Sequence, residues 1–314
     1  MFGSSAMRMR AACVLFTGLL SGCALMGDWS PLASVERRHV FRPAKFPRGD
    51  WEPFELEYED VTFKAADGTK LHGWYVPHQA PRAVILFAHG NAGNVSTRAK
   101  TLKELNERHD AAVFIFDYRG YGKSEGTPNE EGLLQDARAA RKWLARRTGL
   151  DEHEIVLMGR SLGGGVAVDL AAKDGCRGLI LESTFTSMPD VAGRLLPLLP
   201  AGWLMTQRFD SLSKIPNYNG PLLQSHGDRD QLIPIAQGKT LFKAAKGPKR
   251  FVVIKGSGHH NSGRPDYYHE ALAEFLESLP APASLDVRSV KPSAAPPETQ
   301  RRRSRDEDRF TREW

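Results

Sequence analysis

The stretch "EIVLMGRSLGGGVAVDLAAK" at residues 154–173 decides the fold. It opens with a short apolar run of the kind that forms a buried strand. Apolar residues then recur at every fourth position, at Leu162, Val166 and Leu170, which is close to the period of a helix. Between the two stands Ser161, with glycines two residues to either side that leave room for a tight turn. The stretch therefore predicts a strand, a strained turn and a helix, the arrangement that presents a nucleophilic serine.

A second stretch, "GKSEG" at residues 122–126, fits the same Gly-x-Ser-x-Gly pattern around Ser124. In a chain with 29 glycines among 314 residues, such a match is only a hypothesis that needs structural context. The preceding strand-like run, 112–118, ends several residues earlier, and Pro128 follows in a polar stretch that is typical of a loop. The context therefore favours Ser161 as the nucleophile and Ser124 as a loop serine.

Strand-like and helix-like segments alternate along the rest of the chain. Residues 58–77 contain two strand-like runs joined by an Asp-Gly turn, which predicts a hairpin. After it, continuous apolar runs typical of buried parallel strands alternate with helical patterns, which predicts an α/β fold with a mostly parallel, doubly wound sheet. The predicted strands cover 83–90, 112–118, 154–159, 178–183, 220–227 and 250–256, and the predicted helices 97–109, 130–147, 161–173, 234–246 and 266–279.

Residues with catalytic chemistry follow several of these strands, and loops at the carboxyl ends of parallel strands gather in one place. Ser161 follows one strand, Asp228 and Asp230 follow a later one, and His259 and His260 follow the last. A serine hydroxyl needs an imidazole to take its proton, and a carboxylate to orient that imidazole. The pattern therefore predicts a Ser–Asp–His unit, and leaves open which Asp and which His belong to it. An Asp in such a turn can also hydrogen-bond the loop backbone.

Three motifs occur in order: "HGNAGN" (89–94), "DYRGYGKSEG" (117–126) and "GRSLGG" (159–164). With them, residues 58–279 resemble the α/β-hydrolase superfamily, and within it a branch of membrane-associated serine hydrolases. That branch includes esterases, thioesterases and lysophospholipase-like proteins. The resemblance implies the α/β-hydrolase fold with a short cap at about 184–215. It also implies cleavage of acyl esters or thioesters through a covalent acyl-enzyme, without a cofactor.

The resemblance also selects residues. The family pattern "HGxxD" matches "HGDRD" and implies Asp230 as the acid, and "GxGH" matches "GSGH" and implies His259 as the base. The oxyanion hole of the family is built from backbone N–H groups, which here belong to Asn91 and Leu162. His89 matches a structural histidine of the oxyanion loop.

The N-terminus predicts export. Two arginines precede an apolar stretch, 11–20, which is too short to span a bilayer and is typical of a secretory signal peptide. "LSGC" (20–23) resembles the lipobox of bacterial lipoproteins, which implies acylation of Cys23 and a lipid anchor in the cell envelope. Ala24, instead of an acidic residue, implies the outer membrane in a Gram-negative organism. An ordinary signal peptide with a chance cysteine is the alternative.

These features divide the chain into a signal peptide (1–22), a linker (23–50), a hydrolase domain (51–280) and a tail (281–314). The tail is rich in Pro, Ala, Ser and Arg without apolar periodicity, which predicts disorder. Cys176 is the one cysteine of the sequence that lies within the predicted domain, so no disulfide can form inside it.

Charge and composition narrow the function classes. The chain carries a net charge of +6, but the signal peptide and the tail hold much of it, so a nearly neutral domain predicts no nucleic-acid partner. The histidines show no metal-binding spacing, so no metal is expected. We therefore predict a serine hydrolase whose partners are an acyl substrate and the membrane. A serine peptidase or amidase, and a non-catalytic surface adaptor on the same scaffold, are the alternatives.

Overall fold

Apolar runs of the sequence form most of the strands, and the segments between them form helices. The computed structural model describes residues 36–38, 40–195, 205–259, 263–282 and 300–302. The strands of this part are β1 (Arg42–Pro43), β2 (Tyr58–Lys64), β3 (Lys70–Val76), β4 (Ala83–Ala88), β5 (Ala92–Gly93), β6 (Ala111–Asp117), β7 (Val156–Arg160), β8 (Gly178–Glu182), β9 (Leu222–Gly227), β10 (Lys249–Ile254) and β11 (Gln300–Arg302). The helices are α1 (Ala99–His109), α2 (Glu130–Thr148), α3 (Leu162–Asp174), α4 (Met188–Leu195), α5 (Ser211–Lys214), α6 (Ile235–Ala244) and α7 (Asp266–Ser278).

Within the described residues, nine strands form one sheet in the order β10-β9-β8-β7-β4-β6-β3-β2-β11. The strands from β10 to β6 are parallel, and β3, β2 and β11 are antiparallel to their neighbours. β2 and β3 are joined by a turn in which Asp67 Oδ1 accepts a hydrogen bond from the Thr69 N–H at 3.0 Å. The predicted mostly parallel sheet with an antiparallel N-terminal hairpin is confirmed.

The central strands are buried on both faces. In β6, Phe114 and Phe116 pack into the cluster that contains the apolar residues of α2 and α3. Val113 and Ile115, which alternate with them, pack into the cluster that contains residues of α1 and α7. Burial on both faces explains why these strands are continuous apolar runs, and it confirms the doubly wound arrangement.

Two elements differ from their predicted positions. The helix predicted from residue 97 begins at Ala99, because Asn94 caps a 3₁₀ turn, Val95–Arg98, that comes before it. β11 lies inside the predicted tail, 281–314, and pairs with the outer edge of β2. An edge strand offers free backbone groups that another segment can pair with, and these three residues pair with them. The rest of the tail from residue 283 onward lies outside the described residues.

The region predicted as a cap lies between β8 and β9. α4 and α5 belong to it, and residues 196–204 lie outside the described part of the chain. The N-terminal segment contacts this region, since the Glu36 carboxylate accepts hydrogen bonds from the N–H groups of Thr206 (3.0 Å) and Gln207 (2.8 Å). Among the described residues, none of the helices has the length and apolar character needed to cross a bilayer.

Candidate active site

Ser161 lies in the turn between β7 and α3 with φ 52° and ψ −117°. Such a backbone conformation is strained for a residue with a side chain, and persists only where the surroundings enforce it. A Cβ on Gly163 would lie 2.0 Å from the Ala88 carbonyl oxygen, and one on Gly159 would lie 2.3 Å from the Gly163 carbonyl oxygen. The two glycines therefore let α3 pack directly on the ends of β4 and β7, which forces the turn and presents Ser161.

Ser161, His259 and Asp230 form a chain of hydrogen bonds. His259 Nε2 lies 3.0 Å from Ser161 Oγ, and His259 Nδ1 lies 2.7 Å from Asp230 Oδ2. The three side chains come from the turns that follow β7, β9 and β10. This geometry allows His259 to accept the Ser161 proton while its other nitrogen donates to the carboxylate.

The two aspartates after β9 have different partners. Asp228 Oδ1 accepts a hydrogen bond from the Gly256 N–H at 2.7 Å, which ties the loop after β9 to the loop after β10. Asp230 Oδ1 accepts one from the Ile233 N–H at 2.8 Å, while its other oxygen faces His259. Asp230 thus adjoins the imidazole, and Asp228 has the backbone contact that an Asp often makes in a turn.

The charge of Asp230 is held by its hydrogen bonds. Burial by itself raises the pKa of this carboxyl, but hydrogen bonds from His226, His259 and the Ile233 N–H outweigh burial and hold the pKa well below its usual range. The carboxylate is therefore ionised at neutral pH. A carboxylate in this position can stabilise the positive charge that an imidazole acquires when it takes a proton.

The predicted oxyanion donors belong to segments that adjoin Ser161. Leu162 is the first residue of α3, so its N–H has no acceptor within the helix. The loop after β4 passes beside the serine, because a Cβ on Gly90 would lie 3.5 Å from Ser161 Cβ. Asn91 follows Gly90 in that loop. The two segments that contain the predicted donors therefore both adjoin Ser161.

Two buried residues of the quoted motifs have structural partners. His89 Nδ1 lies 2.7 Å from the Gly90 carbonyl oxygen, and burial lowers the pKa of His89 to about 4, so the ring is neutral at pH 7 and donates to that carbonyl. Ser124 Oγ donates to the Asp117 carbonyl oxygen at 2.6 Å and accepts from the His72 N–H at 3.0 Å. The Ser124 hydroxyl is thus committed to the backbone of β6 and β3.

Sequence reasoning missed a buried ion pair near His259. Glu182, the last residue of β8, accepts hydrogen bonds from Arg264 Nε (3.0 Å) and Nη2 (2.8 Å), and Arg264 also reaches Glu104 on α1 at 3.0 Å. Since Arg264 follows His259 by five residues, the pair ties the chain just beyond the imidazole to β8 and α1. An acid at the end of the apolar run "GLILE" is the signal that could have indicated it, because a buried charge needs a partner.

Replacing Glu182 by glutamine is expected to lower the free energy of unfolding at pH 7 by about 3–5 kcal/mol, because it leaves the Arg264 guanidinium buried without its main carboxylate. Burial by itself raises the pKa of Glu182, but Arg264 outweighs it and holds the pKa at about 2. The stabilisation is therefore present above the unfolded-state pKa of about 4.3 and lost as pH falls toward 2. Urea unfolding measures the free energy of unfolding at pH 7 and at pH 3. The decrease between the two pH values should be smaller for the variant than for the wild type.

Glu104→Gln is the matched control for this prediction. Glu104 binds the same guanidinium, but its side chain is 24% exposed against 7% for Glu182. Water compensates an exposed carboxylate, so the control is expected to cost about 1 kcal/mol or less. The prediction would be contradicted if the two variants lowered the free energy of unfolding at pH 7 by equal amounts. It would also be contradicted if Glu182→Gln and wild type lost equal amounts of that free energy between pH 7 and pH 3.

The described part of the chain gives little support for a metal site or a cysteine nucleophile. None of its His, Cys, Asp and Glu side chains form a group of three or more that could hold a metal ion. Burial raises the pKa of the Cys176 thiol to about 11, which makes this cysteine a poor nucleophile at pH 7. His260 and Cys23, which sequence analysis singled out, lie outside the described residues.

Comparison with known proteins agrees with this fold. Residues 83–206 match a family model described as the alpha/beta hydrolase fold. An uncharacterized protein of Mycobacterium tuberculosis is 35% identical over 250 residues, which cover 79% of this chain and 87% of that protein. The uncharacterized protein YfhR of Escherichia coli K12 is 36% identical over 232 residues, which cover 70% and 81% of the two chains.

A solved structure of an esterase, Pf2001 of Pyrococcus furiosus, superposes with a TM-score of 0.63 at 20% identity. The match covers 76% of this chain and 98% of the esterase, so the likeness of fold extends over nearly the whole of that protein. The strand order, the strained turn at Ser161, the family match and the identity to full-length relatives all agree, and this chain belongs to the alpha/beta hydrolase fold family.

Proposed function

We propose that this protein is a serine hydrolase that cleaves acyl esters or thioesters through a covalent acyl-enzyme. The observation that carries the proposal is the hydrogen-bonded chain from Ser161 Oγ through His259 to Asp230, with distances of 3.0 and 2.7 Å. A hydroxyl with an adjacent base, itself oriented by a third group, is the arrangement that activates serine nucleophiles. The esterase of similar fold agrees with this proposal, although an identity of 20% by itself indicates only the fold.

In the first half-reaction, Ser161 Oγ attacks the acyl carbonyl carbon while its proton passes to His259 Nε2. The electron pair of the carbonyl moves onto its oxygen, where the N–H groups of Leu162 and Asn91 stabilise the negative charge. When the carbonyl re-forms, the bond to the alcohol or thiol breaks and the leaving group takes the proton from His259. Asp230 remains ionised and stabilises the imidazolium throughout.

In the second half-reaction, water replaces the leaving group. His259 takes a proton from the water, whose oxygen attacks the acyl carbon and forms a second oxyanion. Collapse of this intermediate breaks the bond to Ser161 Oγ, which takes the proton back from His259. The products are a free acid and the regenerated hydroxyl.

A panel of acyl esters and thioesters of increasing chain length, measured beside short peptide amides, tests this proposal. Turnover of esters or thioesters well above that of amides supports it. Faster turnover of amides would instead indicate a peptidase or amidase. A folded protein that turns over none of them, and that a fluorophosphonate probe does not label, would indicate a non-catalytic adaptor.

We also propose that the protein is exported and anchored to the bacterial envelope through lipid on Cys23. The basis is the lipobox-like "LSGC" at 20–23 after a short apolar stretch. An N-terminal anchor of this kind would hold the catalytic domain at a membrane and close to lipid-derived acyl substrates.

Replacing Cys23 by serine is expected to block acylation, and so to move the protein from the membrane fraction to the soluble fraction or to stall its processing. Fractionation of cells that express the full chain, together with metabolic labelling by radioactive palmitate, measures both effects. Cys176→Ser is the control. Cys176 lies in the folded domain, so this variant should still be labelled at Cys23 and should stay in the membrane fraction. Unchanged membrane retention and labelling in Cys23→Ser would overturn the proposal.

A further inference from the structure

Residues 40–48, which we call the N-terminal strap, run across two loops at the carboxyl edge of the sheet. β1, inside the strap, pairs in parallel with β5, which belongs to the loop after β4. Further along, the Phe46 N–H donates to the Gly122 carbonyl oxygen at 3.0 Å, in the loop after β6. The strap therefore joins the loop that contains Asn91 to the neighbouring loop.

Asn91 uses both ends of its side-chain amide in this contact. Its Oδ1 accepts hydrogen bonds from the Arg42 N–H at 2.9 Å and from the Tyr121 hydroxyl at 2.7 Å. Its Nδ2 donates to the Val40 carbonyl oxygen at 2.5 Å. The amide is thus fixed by main-chain groups of the strap on both sides of Phe41.

Asn94, the second asparagine of "HGNAGN", makes a similar contact. It is fully buried, and its Nδ2 donates to the carbonyl oxygens of Ala44 (3.1 Å) and Arg48 (2.7 Å). Its Oδ1 accepts from the Ser96 N–H at 3.0 Å within its own loop. The two asparagines of the motif therefore bind the two halves of the strap.

The strap is itself anchored by apolar contacts. Phe41 is 2% exposed, and its ring meets the Phe209 ring edge-on at 6.3 Å between centroids. Phe209 lies within the predicted cap, 184–215, and packs in the same core cluster as Phe41. The strap is therefore a fixed part of the fold, to which a loop can be held.

The loop after β4 needs such support. It contains Gly90 and Gly93, the latter at φ +85°, so its own backbone has wide conformational freedom. An oxyanion donor stabilises the transition state only when its N–H is already aimed at the developing charge. We propose that the strap holds this loop through the side chains of Asn91 and Asn94, which makes both side chains positioning residues for the oxyanion hole. The inference rests on the proposed function, in which the Asn91 N–H is a donor.

Asn91→Ala is the first test, with ester hydrolysis and fluorophosphonate labelling of Ser161 as readouts. The variant keeps the backbone N–H and loses the side-chain hydrogen bonds to the strap and to the Tyr121 hydroxyl. We expect kcat to fall by about ten- to a hundredfold with KM nearly unchanged, because a donor that acts in the transition state contributes to kcat rather than to ground-state binding. The rate of labelling should fall in parallel, because the probe also forms an intermediate with a charged oxygen.

Asn106→Ala is the matched control. Asn106 lies on α1, and its Nδ2 donates to the carbonyl oxygens of Pro77 and Ala111, each at 2.9 Å. The control therefore loses amide hydrogen bonds to backbone carbonyls just as Asn91→Ala does, but away from Ser161. A similar decrease in melting temperature with unchanged kcat and labelling is expected for it. Equal kcat values in the two variants would overturn the proposal.

The rate of limited trypsin digestion shows how firmly the strap is held on the fold, independently of activity. Lys45 and Arg48 are exposed cleavage sites within it. Asn91→Ala and Asn94→Ala should both be cut faster at these sites than wild type and Asn106→Ala. Unchanged cleavage in the two variants would show that the asparagine side chains do not hold the strap. Faster cleavage with normal kcat would show that the contact between strap and loop has no role in hydrolysis. If wild type neither hydrolyses the ester panel nor reacts with the probe, the proposed function and this role fall together, while digestion still decides whether the asparagines hold the strap.

Discussion

Replacing Ser161 by alanine is expected to reduce ester hydrolysis on the order of 10⁶-fold and to abolish labelling by a fluorophosphonate probe. The change removes the Oγ that lies 3.0 Å from His259 Nε2, and with it the atom that would form the acyl-enzyme. What remains is the modest acceleration that binding and the oxyanion donors supply without a nucleophile. Comparison of kcat/KM on a chromogenic acyl ester, with mass spectrometry of the labelled peptide, measures both effects.

Ser124→Ala is the control, since Ser124 lies in the other Gly-x-Ser-x-Gly match. Its hydroxyl is buried between the Asp117 carbonyl oxygen and the His72 N–H. Removing it should lower the free energy of unfolding by about 1–3 kcal/mol and leave most of the hydrolysis intact. Loss of labelling in Ser124→Ala, with labelling kept in Ser161→Ala, would overturn the choice of nucleophile.

Replacing His259 by alanine is expected to be as damaging as replacing Ser161. Without the imidazole, the Ser161 proton has no acceptor at 3.0 Å, and the buried charge of Asp230 loses the group that it orients. Residues that act as one unit do not contribute additively, so a variant that lacks both Ser161 and His259 should be little worse than either single variant. The three kcat/KM values on one ester decide this.

His260→Ala is the control, because His260 is the neighbouring candidate and should be dispensable. Near-normal turnover in His260→Ala beside a loss on the order of 10⁶-fold in His259→Ala is the expected result. If instead His260→Ala is the inactive variant and His259→Ala retains turnover, the base is assigned to the wrong residue.

Local pattern was sufficient to predict the main strands and helices of this fold. Continuous apolar runs marked strands that are buried on both faces, and the Asp-Gly turn marked the hairpin of β2 and β3. Strand, strained turn and helix around Ser161 could be predicted because sterics allow that turn only where the flanking residues are glycines. These features depend on neighbours in the sequence, which is why the sequence alone reveals them.

The structure brings Ser161, His259 and Asp230 together and adds a geometry that the sequence does not contain. From the residues alone, Asp228 and Asp230 were equivalent, and only family resemblance separated them. Their different partners, Gly256 for one and His259 for the other, depend on how the loops after β9 and β10 approach each other. That approach is set by the packing of whole strands, which no local pattern encodes.

By itself, the sequence determined the order of strands and helices, the strained turn at Ser161 and the set of candidate catalytic residues. Only the tertiary structure decided which side chains meet: His259 with Ser161, Glu182 with Arg264, and Asn91 with the strap. The physical reason is distance along the chain. Elements form from contacts within a few residues, whereas these contacts join residues 98, 82 and 51 positions apart and exist only once the sheet is assembled.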